Sequence, residues 1–127
     1  MLENKAMIYS EDYGLHATKY ADSSSFIHNM VGGYIELVPN TYFDKKGIDV
    51  WCNEEGKFMN LKPCVALAHQ GKIFDIVVGN IVFTRCNDEG ETVSLTDEDI
   101  EYINNWYDTC DWHISADMTM MIPVIDY

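Results

Sequence analysis

Residues Ile73 to Cys86 read IFDIVVGNIVFTRC, the most apolar stretch of the chain. It is rich in β-branched and aromatic residues, which pack well on a pleated surface and lose side-chain freedom in a helix. The stretch forces a sheet on any fold this chain adopts. Gly79-Asn80 divides it, either as a two-residue hairpin turn or as a bulge in one long strand; the hairpin is preferred. Other strand signals surround it. Residues 6–20 alternate irregularly around Gly14 and read as a strand or short hairpin. Residues 34–38 form a strand stopped by Pro39. Residues 40–47 read as a polar loop. Ile48 to Cys52 is a further strand, and the turn signal Asn53-Glu54-Glu55-Gly56 returns the chain into a short strand over 57–59. Leu61 to His69 reads as one helical turn followed by a strand edge. Asn87–Gly90 repeats the turn chemistry, and Thr92-Val93 adds a strand pair.

Two segments have helical spacing. Phe26, Ile27, Met30 and Val31 follow the candidate N-caps Asp22 to Ser25 and end at Gly32-Gly33, where a left-handed cap residue is wanted. The second helix is better defined. Thr96 followed by Asp99 is a capping-box pattern, and Asp97, Glu98 and Asp99 favour the positive end of the helix dipole. Ile100, Ile103 and Tyr107 share one face. Asp97, Glu101 and Asp108 share the opposite one with Glu98 beside them, and Tyr102 and Trp106 lie at the border. The expected fold is α+β: one mainly antiparallel sheet of four to seven strands, packed by helices over about 24–31 and 97–108. At 127 residues the chain reads as a single domain, 1–127. Residues 112–127 form an apolar C-terminal extension containing Met118, Met120, Met121, Ile122, Val124 and Ile125. It either adds a strand or contacts a partner, such as a second copy of the chain.

Charge narrows the partner class. The chain carries a formal net charge of −13, and after Arg85 there is no Lys or Arg against eleven Asp and Glu. The first 85 residues hold ten acids and eight bases and are close to neutral. So lopsided a distribution repels nucleic acid and anionic membrane and attracts cationic surfaces. Direct nucleic-acid binding is disfavoured, because Lys45-Lys46 is the only basic doublet. No apolar run approaches the roughly 20 residues that span a bilayer, and the N-terminus shows no secretory h-region, so a cytoplasmic protein is expected.

Catalytic signatures are missing. There is no G-x-x-x-x-G-K-[ST] loop, no G-x-G-x-x-G after a strand, no G-x-S-x-G elbow and no H-E-x-x-H pair. The acids at 97–99 lack calcium-loop spacing. Cys52, Cys64, Cys86 and Cys110 form no C-x-x-C and read as free thiols, and Cys110-x-x-His113 has no second half of a zinc site. No enzyme, metal or cofactor is expected.

Several motifs occur together: residues 31–39 (VGGYIELVP), 52–57 (CNEEGK), 94–100 (SLTDEDI) and the strand 76–80 (IVVGN). In combination, over about residues 24–106, they resemble a family of small uncharacterised proteins carried by phages and conjugative elements of Gram-positive bacteria, a domain of unknown function. The resemblance implies a genomic setting in which small acidic proteins blunt host defence. Two mechanisms fit. In one, Asp97, Glu98, Glu101, Asp108 and Asp111 imitate nucleic-acid phosphates in the basic groove of a host defence protein, with Trp106 and Trp112 as apolar anchors. In the other, Lys45, Lys57, Lys62 and Arg85, flanked by Trp51, Tyr42 and Phe43, sequester a nucleotide immune signal. An accessory or structural role in the mobile element is the third reading.

Overall fold

The computed structural model describes residues 4–127. Its first sheet is built from β1 (Asn4–Ser10), β2 (Gly14–Tyr20), β3 (Ile35–Leu37), β4 (Ile48–Asn53), β7 (Ile81–Cys86) and β8 (Thr92–Val93). The order is β2-β1-β7-β4-β3, with β8 also pairing β7, and every pair is antiparallel. A second sheet takes β5 (Pro63–His69), β6 (Lys72–Val78), β9 (Trp112–Ile114) and β10 (Met121–Asp126) in the order β6-β5-β10-β9. Within it β10 runs parallel to β5, and the other pairs are antiparallel. The architecture is the α+β class expected, and the six-stranded sheet has the expected size and sense. The two longer helices, α1 (Ser23–Val31) and α3 (Asp97–Thr109), lie where helical spacing placed them. The second sheet goes beyond the single sheet anticipated.

Period-two alternation explains how the first sheet is covered on both faces. Ala6, Ile8 and Val82 join Ile27 and Val31 of α1 in one cluster. Their sequence neighbours Met7, Tyr9, Ile81 and Phe83 point the other way, into a larger cluster with Ile103 and Trp106 of α3 and with Val65, Leu67 and Ile125 of the second sheet. α1 ends at Gly32, whose φ of 81° is the left-handed cap conformation that its sequence suggested.

Four local expectations are corrected. Residues 40–47 are not all loop: Asn40 accepts from the Phe43 N–H and caps a one-turn helix, α2 (Thr41–Asp44), that buries Phe43 completely. Residues 57–59 form no strand; they continue a run of turns, in which Met59 N–H donates to the Glu55 carbonyl and Leu61 N–H to that of Gly56. The buried Asn53 starts this run by accepting from the Glu55 N–H while donating to the Val31 carbonyl. The chain thereby leaves the first sheet and enters β5, which is an interior strand between β6 and β10 rather than a helical turn and an edge.

Gly79-Asn80 is neither a hairpin nor a bulge. β6 and β7 belong to different sheets, and these two residues carry the chain between them. The apolar run alone does not distinguish the cases: β6 pairs back onto β5 across the two-residue turn Gln70-Gly71, whereas the partners of β7, β1 and β4, lie tens of residues earlier in the chain. Gly79 has a φ of 81°, its N–H donates to the Lys62 carbonyl at 2.8 Å, and a Cβ there would lie 2.8 Å from Leu61 Cδ1. Gly79→Ala is therefore expected to destabilise the protein by about 1–3 kcal/mol, combining left-handed strain with the clash. Urea denaturation followed by circular dichroism measures it, and an unchanged midpoint would contradict the assignment.

Candidate docking surface

Helix α3 is set at its start by two interlocked devices. Thr96 Oγ1 accepts from the Asp99 N–H at 3.1 Å, and the Asp99 carboxylate accepts from the Thr96 N–H at 2.9 Å, completing the capping box. The same carboxylate takes two hydrogen bonds from Arg85 on β7, from Nε at 2.6 Å and Nη2 at 2.7 Å. Burial alone would raise the Asp99 carboxyl, but the Arg85 and Thr96 hydrogen bonds outweigh it and hold it below the ordinary carboxylate value. Asp97 forms a second, exposed pair with Lys5 at 3.1 Å. Asp99 therefore serves the fold, and Asp97 is partly neutralised.

The inward face of α3 carries Ile103 and Trp106. Trp106 is not the exposed anchor expected from the border of the helical wheel. It is 2 % exposed, and its indole N–H donates to the Val124 carbonyl at 2.9 Å. On the wheel it sits near Asp99 and Tyr102, and the docking of β10 and α2 against α3 widens the buried arc to include it. Tyr102 is half-buried there, donating to the Tyr42 carbonyl at 2.9 Å, and burial pushes its hydroxyl up to about 12.

Glu98, Glu101, Asp108 and Asp111 are exposed, and none forms an ion pair among the described residues. Glu98 shares a shallow groove with Lys46 and Arg85, and the Lys46 ammonium also lies over the Tyr102 ring at 5.5 Å. The unneutralised charge thus runs along the exposed side of α3, from Glu98 and Glu101 to Asp108, and on to Asp111 just beyond the helix. The chain continues from there directly into β9. Trp112 packs its edge on Tyr107, with ring centroids 5.5 Å apart, yet remains 40 % exposed. Ile114 and its cross-strand partner Met121 are 50 % and 60 % exposed. Side chains two apart on a strand share a face, so Trp112, Ile114 and Met121 form one apolar patch that follows the carboxylates in the chain. Ile114 and Tyr107 were not singled out from sequence as contacts of this kind. The signal was present in the alternation Trp112-His113-Ile114, but three residues are too few to declare a strand.

The alternative ligand set is dispersed. Lys57 pairs with Asp75 at 2.7 Å, Lys62 with Glu11 at 3.1 Å, and Arg85 with Asp99. Lys45 lies over the Tyr42 ring at 5.6 Å. Trp51 donates to Thr84 Oγ1 at 2.8 Å and packs against the cluster beneath α1, while Phe43 is sealed in the core. Lys57, Lys62 and Arg85 line three separate grooves, each containing carboxylates. All four cysteines are free, and burial pushes the Cys52 and Cys64 thiols up to about 11 and about 12, where they stay protonated at neutral pH. Among the described residues no group of three or more His, Cys, Asp or Glu is placed to hold a metal ion, and no helix is long and apolar enough to cross a membrane.

A family model described as a domain of unknown function, DUF3846, matches residues 5–108. The match covers most of the chain, which belongs to that family. No curated protein and no solved structure matches it.

Proposed function

We propose that this member of the DUF3846 family is a non-enzymatic binding protein that docks its acidic C-terminal third onto a cationic surface of another macromolecule. The single observation that carries the reading is the row Glu98, Glu101, Asp108 and Asp111, exposed and without ion-pair partners among the described residues, running into the exposed Trp112. Apolar anchors beside desolvatable charges are what specific interfaces use. The partner proposed is a host defence protein of bacteria with a basic nucleic-acid groove, and the setting is a phage or other mobile element. On α3 the exposed, unpaired carboxylates Glu98, Glu101 and Asp108 are separated by about 5 Å and about 11 Å of helix axis. They are spaced more widely than the phosphates of one nucleic-acid strand, about 3.4 Å apart, so the proposal rests on unpaired charge beside an apolar anchor rather than on a matched phosphate spacing.

Nucleotide sequestration draws less support, because its four cations are spread over separate places and three of them are already paired with carboxylates. The discriminating variant is Glu101→Lys/Asp108→Lys. It is expected to weaken retention of the captured defence protein at least tenfold, to flatten the salt dependence of what remains, and to abolish inhibition of that protein's nuclease activity. Retention and inhibition equal to wild type would overturn the proposal.

A further inference from the structure

The backbone of β9 specifies how such a partner engages. Val124 N–H donates to the Asp111 carbonyl at 2.9 Å and Ser115 N–H to the Met120 carbonyl at 2.8 Å, with His113 opposite Ile122 between them. In an antiparallel pair the hydrogen-bonded residues alternate. Asp111, His113 and Ser115 therefore direct their backbone groups at β10, and Trp112 and Ile114 turn their N–H and C=O outward. β9 is the last strand of its sheet, so these groups meet no further strand among the described residues.

Other strands leave open edges, but those differ from β9, and β8, which pairs only β7, is just two residues long. Edge strands β2 and β6 carry Lys19 and Lys72, and β3 runs toward Pro39. Lysine and proline are the usual devices against unwanted pairing at an edge. β9 has neither, and no Lys or Arg occurs anywhere from Cys86 to the last residue. Its Trp112 and Ile114 side chains, with Met121 of β10, offer an apolar patch, and the exposed carboxylates of Asp108 and Asp111 precede it.

We propose that β9 is a β-addition site for an extended cationic peptide segment, in which outward amides of Trp112 and Ile114 extend the ladder. Alternate apolar residues of the segment pack on Trp112, Ile114 and Met121, and its Lys or Arg residues meet Asp108 and Asp111. A second copy of this chain fits the edge poorly, because pairing β9 with itself gathers the unneutralised carboxylates of two chains of charge −13 at one seam. The inference rests on the cationic-partner reading and adds the backbone mode of capture.

The probe is a blocked eight-residue peptide alternating Val and Lys, titrated at low salt against the full chain. Two further versions are N-methylated on one or the other set of alternate amides, and a fourth alternates Val and Glu. The expected result is binding of the Lys peptide with shifts of the Trp112 and Ile114 amide resonances, at least tenfold weakening by one N-methylation pattern, and no binding of the Glu peptide. Ile114→Pro removes an outward N–H without touching the β10 ladder and is expected to weaken binding as much. Binding indifferent to both N-methylation patterns would overturn β-addition while leaving the cationic-partner reading standing. No binding of the Lys peptide would overturn the edge proposal, with that reading then judged by the Glu101/Asp108 reversal. A concentration-dependent dimer abolished by Ile114→Pro would overturn it in favour of self-pairing.

Discussion

Trp106→Ala is expected to destabilise the protein by about 3–5 kcal/mol, the range for truncating a large buried aromatic. Trp106 joins three layers. Its ring packs edge-on against Phe43 of α2 at 5.4 Å and tilted against Phe83 of β7 at 6.0 Å, and its N–H holds the Val124 carbonyl of β10. Alanine leaves a cavity between the two sheets and an unpaired carbonyl beneath α3. Domains of this size are stable by only about 5–15 kcal/mol, so the loss is a large share of the whole. Urea denaturation monitored by far-ultraviolet circular dichroism measures it. Trp112→Ala is the control: its ring is half solvated, and its removal is expected to cost under about 1 kcal/mol while weakening partner capture. Equal stability losses at the two tryptophans would refute the division of labour.

The second large effect concerns the pair beneath the helix N-terminus. Asp99→Ala is expected to cost about 2–4 kcal/mol, because the capping box is lost and Arg85, itself 30 % exposed and still bonded to the Lys46 carbonyl, loses both hydrogen bonds to a buried carboxylate. Lys5→Ala, which removes the exposed partner of Asp97, is expected to cost under about 1 kcal/mol. The same residue sets an acid limit. The folded-state value of Asp99 lies below its unfolded value, so its contribution is fully present above the unfolded carboxyl value of about 4 and fades as pH falls toward the lower folded value. Asp117, held down to about 2 by hydrogen bonds from Ser115 and Thr119, acts with the same sign in the turn between β9 and β10. A pH series of denaturation midpoints should therefore decline below about pH 4 in the wild type and decline less steeply in Asp99→Asn. Parallel curves for the two proteins would show that Asp99 titrates alike in the folded and unfolded chains.

Local chemistry made the two longer helices legible. The Thr96–Asp99 capping box, the Gly32 terminus and the 3.6-residue spacing of apolar side chains act within a few residues of themselves, and the structure has each where the sequence places it. The separation of charge is likewise a property of the chain alone. Pairing is not local. β6 closes on β5 across a two-residue turn, but β7 pairs with β1, more than seventy residues earlier, and that distant pairing makes Gly79-Asn80 a crossing into another sheet. The burial of Trp106 depends on β10 and α2 closing over a position that the helical wheel leaves at the border. Of the acidic residues, the sequence determined their number and their segregation. Only tertiary structure decided which of them are used internally, as Asp99 is by Arg85, and which remain facing water, because neutralisation requires a cation from a distant strand to arrive within hydrogen-bonding distance.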